Sequence, residues 1–162
     1  MSSKPRHFVS RRSAVLAMLA LAGCGLTPVY GPGGAGAALR GNVVYVTPAT
    51  KAGFALRNRL KTRLGTQDGA ADYQLIVQSV ETRDAAAVTS DGDITRFSIL
   101  GTAKWTVIKG DVTLGSGTVE TFTSYAATGS TVATQAAEED AVARLSVALA
   151  DLIVADVILA QP

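Results

Sequence analysis

The sequence predicts an α+β fold: a four-stranded, largely antiparallel sheet with two helices packed on one face, in the order β-α-β-β-β-α. Three observations predict it. Residues 94–108 alternate, with Phe97, Ile99, Ala103, Trp105 and Val107 on one side and Arg96, Ser98, Thr102, Lys104 and Thr106 on the other. Leu56, Leu60 and Leu64 recur every four residues, and a much longer helical pattern closes the chain. With 162 residues and 48% apolar composition, there is material for one modest domain.

The elements follow in order. Asn42 to Thr47 is β-branched and aromatic, a short strand that Pro48 closes. Thr50 to Leu64 forms a helix with Gly65 as its stop. Tyr73 to Arg83 reads as a strand, and Ser90-Asp91-Gly92-Asp93 as a turn into the alternating strand. Lys109-Gly110-Asp111 turns the chain into a last strand, Val112 to Tyr125, where Gly115 and Gly117 mark a bulge. The final helix begins near Ser130 to Thr134 and runs to about Ala160, with Glu138, Glu139 and Asp140 near its start complementing the helix dipole. Its expected core stripe is Ala141, Leu145, Ala148, Leu149, Leu152 and Leu159. Val147, Val154 and Ile158 fall largely outside it, so the helix is either clasped within its own domain or covered by a partner.

The N-terminus reads as an address. Basic residues Lys4, Arg6, Arg11 and Arg12 precede the apolar run Ala14 to Ala22, which is too short to span a bilayer and has the layout of a secretory signal. Ser10-Arg11-Arg12 resembles a twin-arginine start, but Ala14 and Val15 replace the usual bulky pair, which favours the general route. Leu21-Ala22-Gly23-Cys24 resembles the bacterial lipobox, with cleavage between Gly23 and Cys24 and acylation of the thiol. Acyl chains on Cys24 would be the only attached group and would hold the protein on a membrane surface. Gly25 in place of Asp after the cysteine favours the outer membrane. The expected organisation is a signal peptide at 1–23, a lipidated Cys24 with a Gly- and Pro-rich tether over 24–41, and a domain at 42–162. Fully extended, the tether spans roughly 55 to 60 Å.

Charge and composition exclude several classes. Of the 15 Lys and Arg residues, four lie in the signal, so 11 bases face 13 acids from Cys24 onward and the mature charge is −2. That balance argues against nucleic acid. The single Cys is the lipidation site and the single His, His7, lies in the signal, so the mature chain offers neither imidazole nor free thiol for catalysis or metal binding. Asp91 and Asp93 lack the Glu of a calcium loop, and Ser124 and Ser130 lack an activating base. No enzyme activity, metal site or cofactor is expected.

Three stretches resemble the lipopolysaccharide-assembly lipoprotein family, LptE, in its short alphaproteobacterial form: Cys24-Gly25-Leu26-Thr27-Pro28-Val29-Tyr30-Gly31, Phe122-Thr123-Ser124-Tyr125, and Ala136-Ala137-Glu138-Glu139-Asp140-Ala141 leading to Arg144-Leu145 and Leu149 to Ile153. The resemblance implies a small sheet carrying two helices. It also implies a non-enzymatic outer-membrane lipoprotein, facing the periplasm, that plugs the LPS-export β-barrel (LptD-type), aids its assembly and contacts lipopolysaccharide.

Two basic sets are candidate contacts with lipopolysaccharide or the barrel. Arg57, Arg59, Lys61 and Arg63 place like charges at i,i+4, a local cost of roughly 0.2 to 0.5 kcal/mol per pair. Either they are solvated cations suited to a helix C-terminus, or they form a patch for phosphate-bearing lipid or acids of a barrel wall. Arg96 and Lys104 share the polar face of the alternating strand. The competing function is a free-standing periplasmic lipoprotein that binds a small ligand or an envelope polymer.

Overall fold

The computed structural model describes residues 35–67 and 69–160. The expected signal peptide, Cys24 and the first part of the tether lie outside them. The order of elements is α1 (Ala35–Leu39), β1 (Val43–Val46), α2 (Lys51–Leu64), β2 (Tyr73–Val88), β3 (Ile94–Lys109), β4 (Val112–Ala126) and α3 (Thr131–Ala160). The strands lie in the spatial order β1-β2-β3-β4, with β1 parallel to β2 and the other neighbours antiparallel. This is the expected α+β sheet with two long helices, extended by the short α1.

α1 corrects the tether. Its Leu39 is buried in the core, and the Gly41 N–H donates to the Leu64 C=O at 2.8 Å, so residues 35–41 belong to the folded domain. The four residues before Ala35 are Gly-Pro-Gly-Gly, whereas Ala35 to Leu39 have good helix formers and an apolar anchor.

Local chemistry sets the element ends. Thr50 caps α2 by accepting from the Gly53 N–H at 3.0 Å, and Gly65 ends it at φ +90°, a conformation that costs glycine little. β2 runs five residues past its expected end, because Asp84, Ala85, Ala87 and Val88 pair with β3, around a register shift at Ala86, despite the low strand propensity of three consecutive alanines. A register shift after Val107 leaves Leu114 unpaired, so a bulge does lie beside Gly115. Gly117 has another reason.

That reason lies on the covered face. Leu75, Val77, Ile99, Ala103, Trp105, Val107 and Tyr125 share one face with Val43 and Tyr45, and there they meet Leu56, Leu60 and Leu64 of α2. A Cβ on Gly101 would come within 3.0 Å of Leu145 and Leu149, so α3 rests directly on β3 backbone. A Cβ on Gly117 would stand 2.6 Å from Asp156 Oδ2 and 2.8 Å from the Trp105 ring. The Trp105 Nε1–H donates to that oxygen at 2.8 Å, so Gly117 makes room for the one polar link between sheet and helix at this point.

The core stripe of α3 also differs from expectation. Ala141, Leu145 and Leu149 are buried, but so are Ser146, Ala150, Ile153, Val154 and Val157, while Leu152 is 40% and Leu159 82% exposed. A helix apolar on several sides carries no clear moment, and its rotation is set by its neighbours. The helix is clasped within its own domain, between the sheet and α2. Glu138, Glu139 and Asp140 start in the second turn of α3, too far in to serve the dipole. They pair instead with Arg83 (2.8 Å), Lys51 (3.5 Å) and Arg144.

Candidate functional site

α2 presents its four cations from two flanks of a leucine stripe. Arg59 and Arg63 lie on the flank toward α3. The Arg59 Nε–H and Nη2–H donate to the two oxygens of Asp151 at 3.0 and 2.9 Å, and Arg63 Nε stands 3.3 Å from Oδ1. The bidentate pair, strengthened by hydrogen bond and charge together, raises the Arg59 pKa further. One carboxylate thus resolves the like-charge cost of Arg59 and Arg63, and these two residues join the helices.

Arg57 and Lys61 lie on the other flank. The Arg57 Nε–H donates to Thr47 Oγ1 at 3.0 Å, and neither residue pairs with a carboxylate among the described side chains. Both line a groove of about 350 Å³ with Val43, Val44, Tyr45, Thr66 and Gln67. Tyr45 closes its floor: its hydroxyl donates to the Gly65 C=O at 2.8 Å, and burial pushes its pKa up to about 12. The expected patch of four is therefore one interhelical clamp and one pair with no carboxylate partner among the described residues.

Arg96 and Lys104 sit on the sheet face opposite the helices, both exposed. Eight residues of strand separate them, about 27 Å, so they are single charges at two ends of a face. Between them Leu100 pairs across the ladder with Phe122, 73% exposed, and Val80 lies on the same face. Sequence reasoning missed this apolar centre. The signal was there in the β4 alternation, where Phe122 and Glu120 share a parity that opposes Tyr125 and Val119.

Asp151 was missed as well. Asp151 and Asp156 are the only charges in the apolar half of α3, and neither has a base three or four residues away. Such carboxylates need distant partners. Among the described residues no group of three or more His, Cys, Asp or Glu side chains is placed to hold a metal, and no helix is long and apolar enough to cross a membrane.

Comparison with known proteins adds an independent line. The family model described as LptE, lipopolysaccharide-assembly, matches residues 42–157. Among solved structures, a candidate lipoprotein of Caulobacter crescentus is 23% identical, with a TM-score of 0.63 over 77% of this chain and 93% of its own. Rare lipoprotein B of Shewanella oneidensis is 15% identical, with a TM-score of 0.55 over 70% of this chain and 91% of its own. A minor lipoprotein of Acinetobacter baumannii is 22% identical, also at 0.55, over 72% and 90%. At these identities the structures establish a shared fold. No curated protein matches the chain.

Proposed function

This chain belongs to the lipopolysaccharide-assembly family LptE, and on that premise we propose that it is an outer-membrane lipoprotein, anchored through Cys24, that partners and plugs the LPS-export β-barrel. It assists assembly of the barrel and the passage of lipopolysaccharide to the cell surface. The observation that carries this reading is the extent of the family match, which spans the sheet and almost all of α3. The role is non-enzymatic: it asks for surfaces, not for a reacting group.

Two surfaces support it. The open sheet face joins an apolar centre, Val80, Leu100 and Phe122, to cations at Lys104 and Arg96, which suits a glycolipid bearing both acyl chains and phosphates. The exposed Leu152 and Leu159 of α3 offer a second apolar strip to a protein wall. A domain of this size requires a wide barrel with a plugged lumen.

The test is isolation from native outer membrane with identification of the co-purifying barrel, together with depletion. Loss of barrel and of surface lipopolysaccharide on depletion is the expected result. Unchanged levels of both would favour the free-standing binding lipoprotein. Mass spectrometry of the mature N-terminus should show an acylated Cys24; an unmodified N-terminus at another residue would remove the anchor from this reading.

A further inference from the structure

The last strand and the last helix share one open flank of the domain. β4 is the end strand beyond β3, and its ladder decides which of its peptide groups point outward. The Ala127 N–H donates to the Thr95 C=O at 2.9 Å, and the same register runs unbroken from Arg96 with Ala126 to Trp105 with Gly117. In an antiparallel ladder, bonded pairs alternate with unbonded ones. The odd-numbered residues of β4 therefore bond to β3, and the N–H and C=O of Ser116, Thr118, Glu120, Phe122 and Ser124 turn outward. The first four of these residues are exposed. Among the described side chains only Arg144 reaches an outward group, its Nη2–H donating to the Ser124 C=O at 3.5 Å. The usual defences of a sheet edge are missing, for Ser116 to Ala126 contains no Pro, no Lys and no bulge.

α3 lies above this edge. Leu145 and Leu149 meet Gly101 on β3, Asp156 meets Gly117 on β4, and Asp151, on the other flank, meets Arg59 of α2. The flank on the β4 side continues from Arg144 as Ala148, Leu152, Ala155 and Leu159, with Leu152 40% and Leu159 82% exposed. Steps of four, three and four residues make one seam along a helix. Run antiparallel against its own copy, the seam sets Ala148 against Leu159 and Leu152 against Ala155, so each leucine meets an alanine. Its midpoint, between Ile153 and Val154, falls near Thr118, because Leu149 stands over the Gly101–Thr121 pair and Asp156 over Gly117. A two-fold axis at Thr118 pairs Ser116 with Glu120 of the second copy and keeps the two Glu120 carboxylates about 13 Å apart along the strand. With the two β4 strands about 4.8 Å apart and each α3 seated between β3 and β4, the helix axes come about 9–10 Å apart, a normal helix-packing distance. One axis thus serves strand and helix at once, which a second copy supplies and an unrelated surface does not.

We infer that two copies of this chain associate through the flank, β4 pairing antiparallel with its copy into one continuous sheet and the two α3 seams packing above it. A seam about 17 Å long with a strand beneath it buries roughly 1,000–1,200 Å² in total, at the low end of specific interfaces, so the dimer forms at micromolar concentration. The contact uses the α3 strip that the proposed function offers to a protein wall, and so describes the chain before a barrel takes that strip. Its test needs the free chain alone. A missing dimer leaves the barrel reading standing, and a missing barrel leaves the dimer standing.

The experiment uses the ¹⁵N-labelled mature chain from Cys24, unlipidated and under reductant, which keeps Cys24 from cross-linking two copies. Sedimentation equilibrium from about 1 to 300 µM should show monomer and dimer exchanging with a micromolar dissociation constant. Leu152→Glu, at an exposed position, should weaken the dimer by about tenfold or more, because the axis brings the two new carboxylates close together in one seam. A second reading does not depend on that variant. Between the lowest and highest concentrations, amide exchange at Ser116, Thr118 and Glu120 should slow by about tenfold or more, while Gly117 and Val119, already bonded to β3, change little. A chain that stays monomeric up to about 300 µM would overturn the inference. So would a dimer that leaves these three exchange rates unchanged, or one that Leu152→Glu leaves intact. Slow exchange at all three in the dilute monomer would overturn it as well, since the chain's own residues would then cover the edge.

Discussion

The two faces of the sheet are built from the same strands under opposite rules. On the covered face, side chains shrink to nothing where a helix needs the space, at Gly101 under Leu145 and Leu149 and at Gly117 under Asp156, and Trp105 fills the gap beside them. On the open face Leu100 and Phe122 pair across the ladder with no described residue above them. The covered face is fitted, so that a methyl group matters. The open face is only presented, and a change there alters what the protein offers to a ligand more than how firmly it folds.

Substitutions should separate the faces by size of effect. Trp105→Ala empties a fully buried site and leaves Asp156 without its donor, so it should cost about 3–5 kcal/mol in denaturant unfolding. A loss below 1 kcal/mol would mean that α3 is not seated on this ring. Gly117→Ala adds one methyl where no room exists and should cost about 1–3 kcal/mol. The same change at Gly110, a turn position with open space around it, should show only the smaller strain of its positive φ.

Tyr45→Phe should cost about 1 kcal/mol through the lost hydrogen bond to Gly65. It should also change the alkaline limb. The folded pKa of Tyr45, at about 12, lies above the unfolded value of 10.0, so the unfolded chain releases its proton first. Stability should fall as pH rises from about 10 towards 12, and that part of the fall should vanish in the variant. Phe122→Ser, on the open face, should stay within about 0.5 kcal/mol of the parent. With Lys104→Glu it should nonetheless weaken binding of purified lipopolysaccharide by the soluble mature chain. A large loss of stability from Phe122→Ser would show that the open face is part of the core after all.

Much of the fold was legible because its signals are local. The alternation of residues 94–108, broken by Leu100, identified the covered face of β3, and the leucines every four residues identified the buried side of α2. α3 was legible as a helix but not in its rotation. Leu152 and Leu159, expected in the core, are exposed, and Val154, expected outside, is buried. The basic residues of α2 were visible as a run, yet their division into a clamp and a pair with no described carboxylate partner depended on Asp151, 92 residues further along from Arg59.

The sequence by itself determined the order and type of the four strands and the two long helices and most of their ends, though not the short α1, because periodicity, caps and turn glycines act within a few residues of the chain. It also marked Cys24 as the expected point of lipid attachment, through the four-residue motif Leu21-Ala22-Gly23-Cys24. Only the tertiary structure decided which side of α3 is core, which cations meet a carboxylate, and which peptide groups of β4 point outward. Those are relations between segments far apart in the chain. An apolar helix can bury any of several sides at similar cost, and the carboxylates help to choose among them, Asp151 by meeting Arg59 and Arg63 and Asp156 by meeting Trp105.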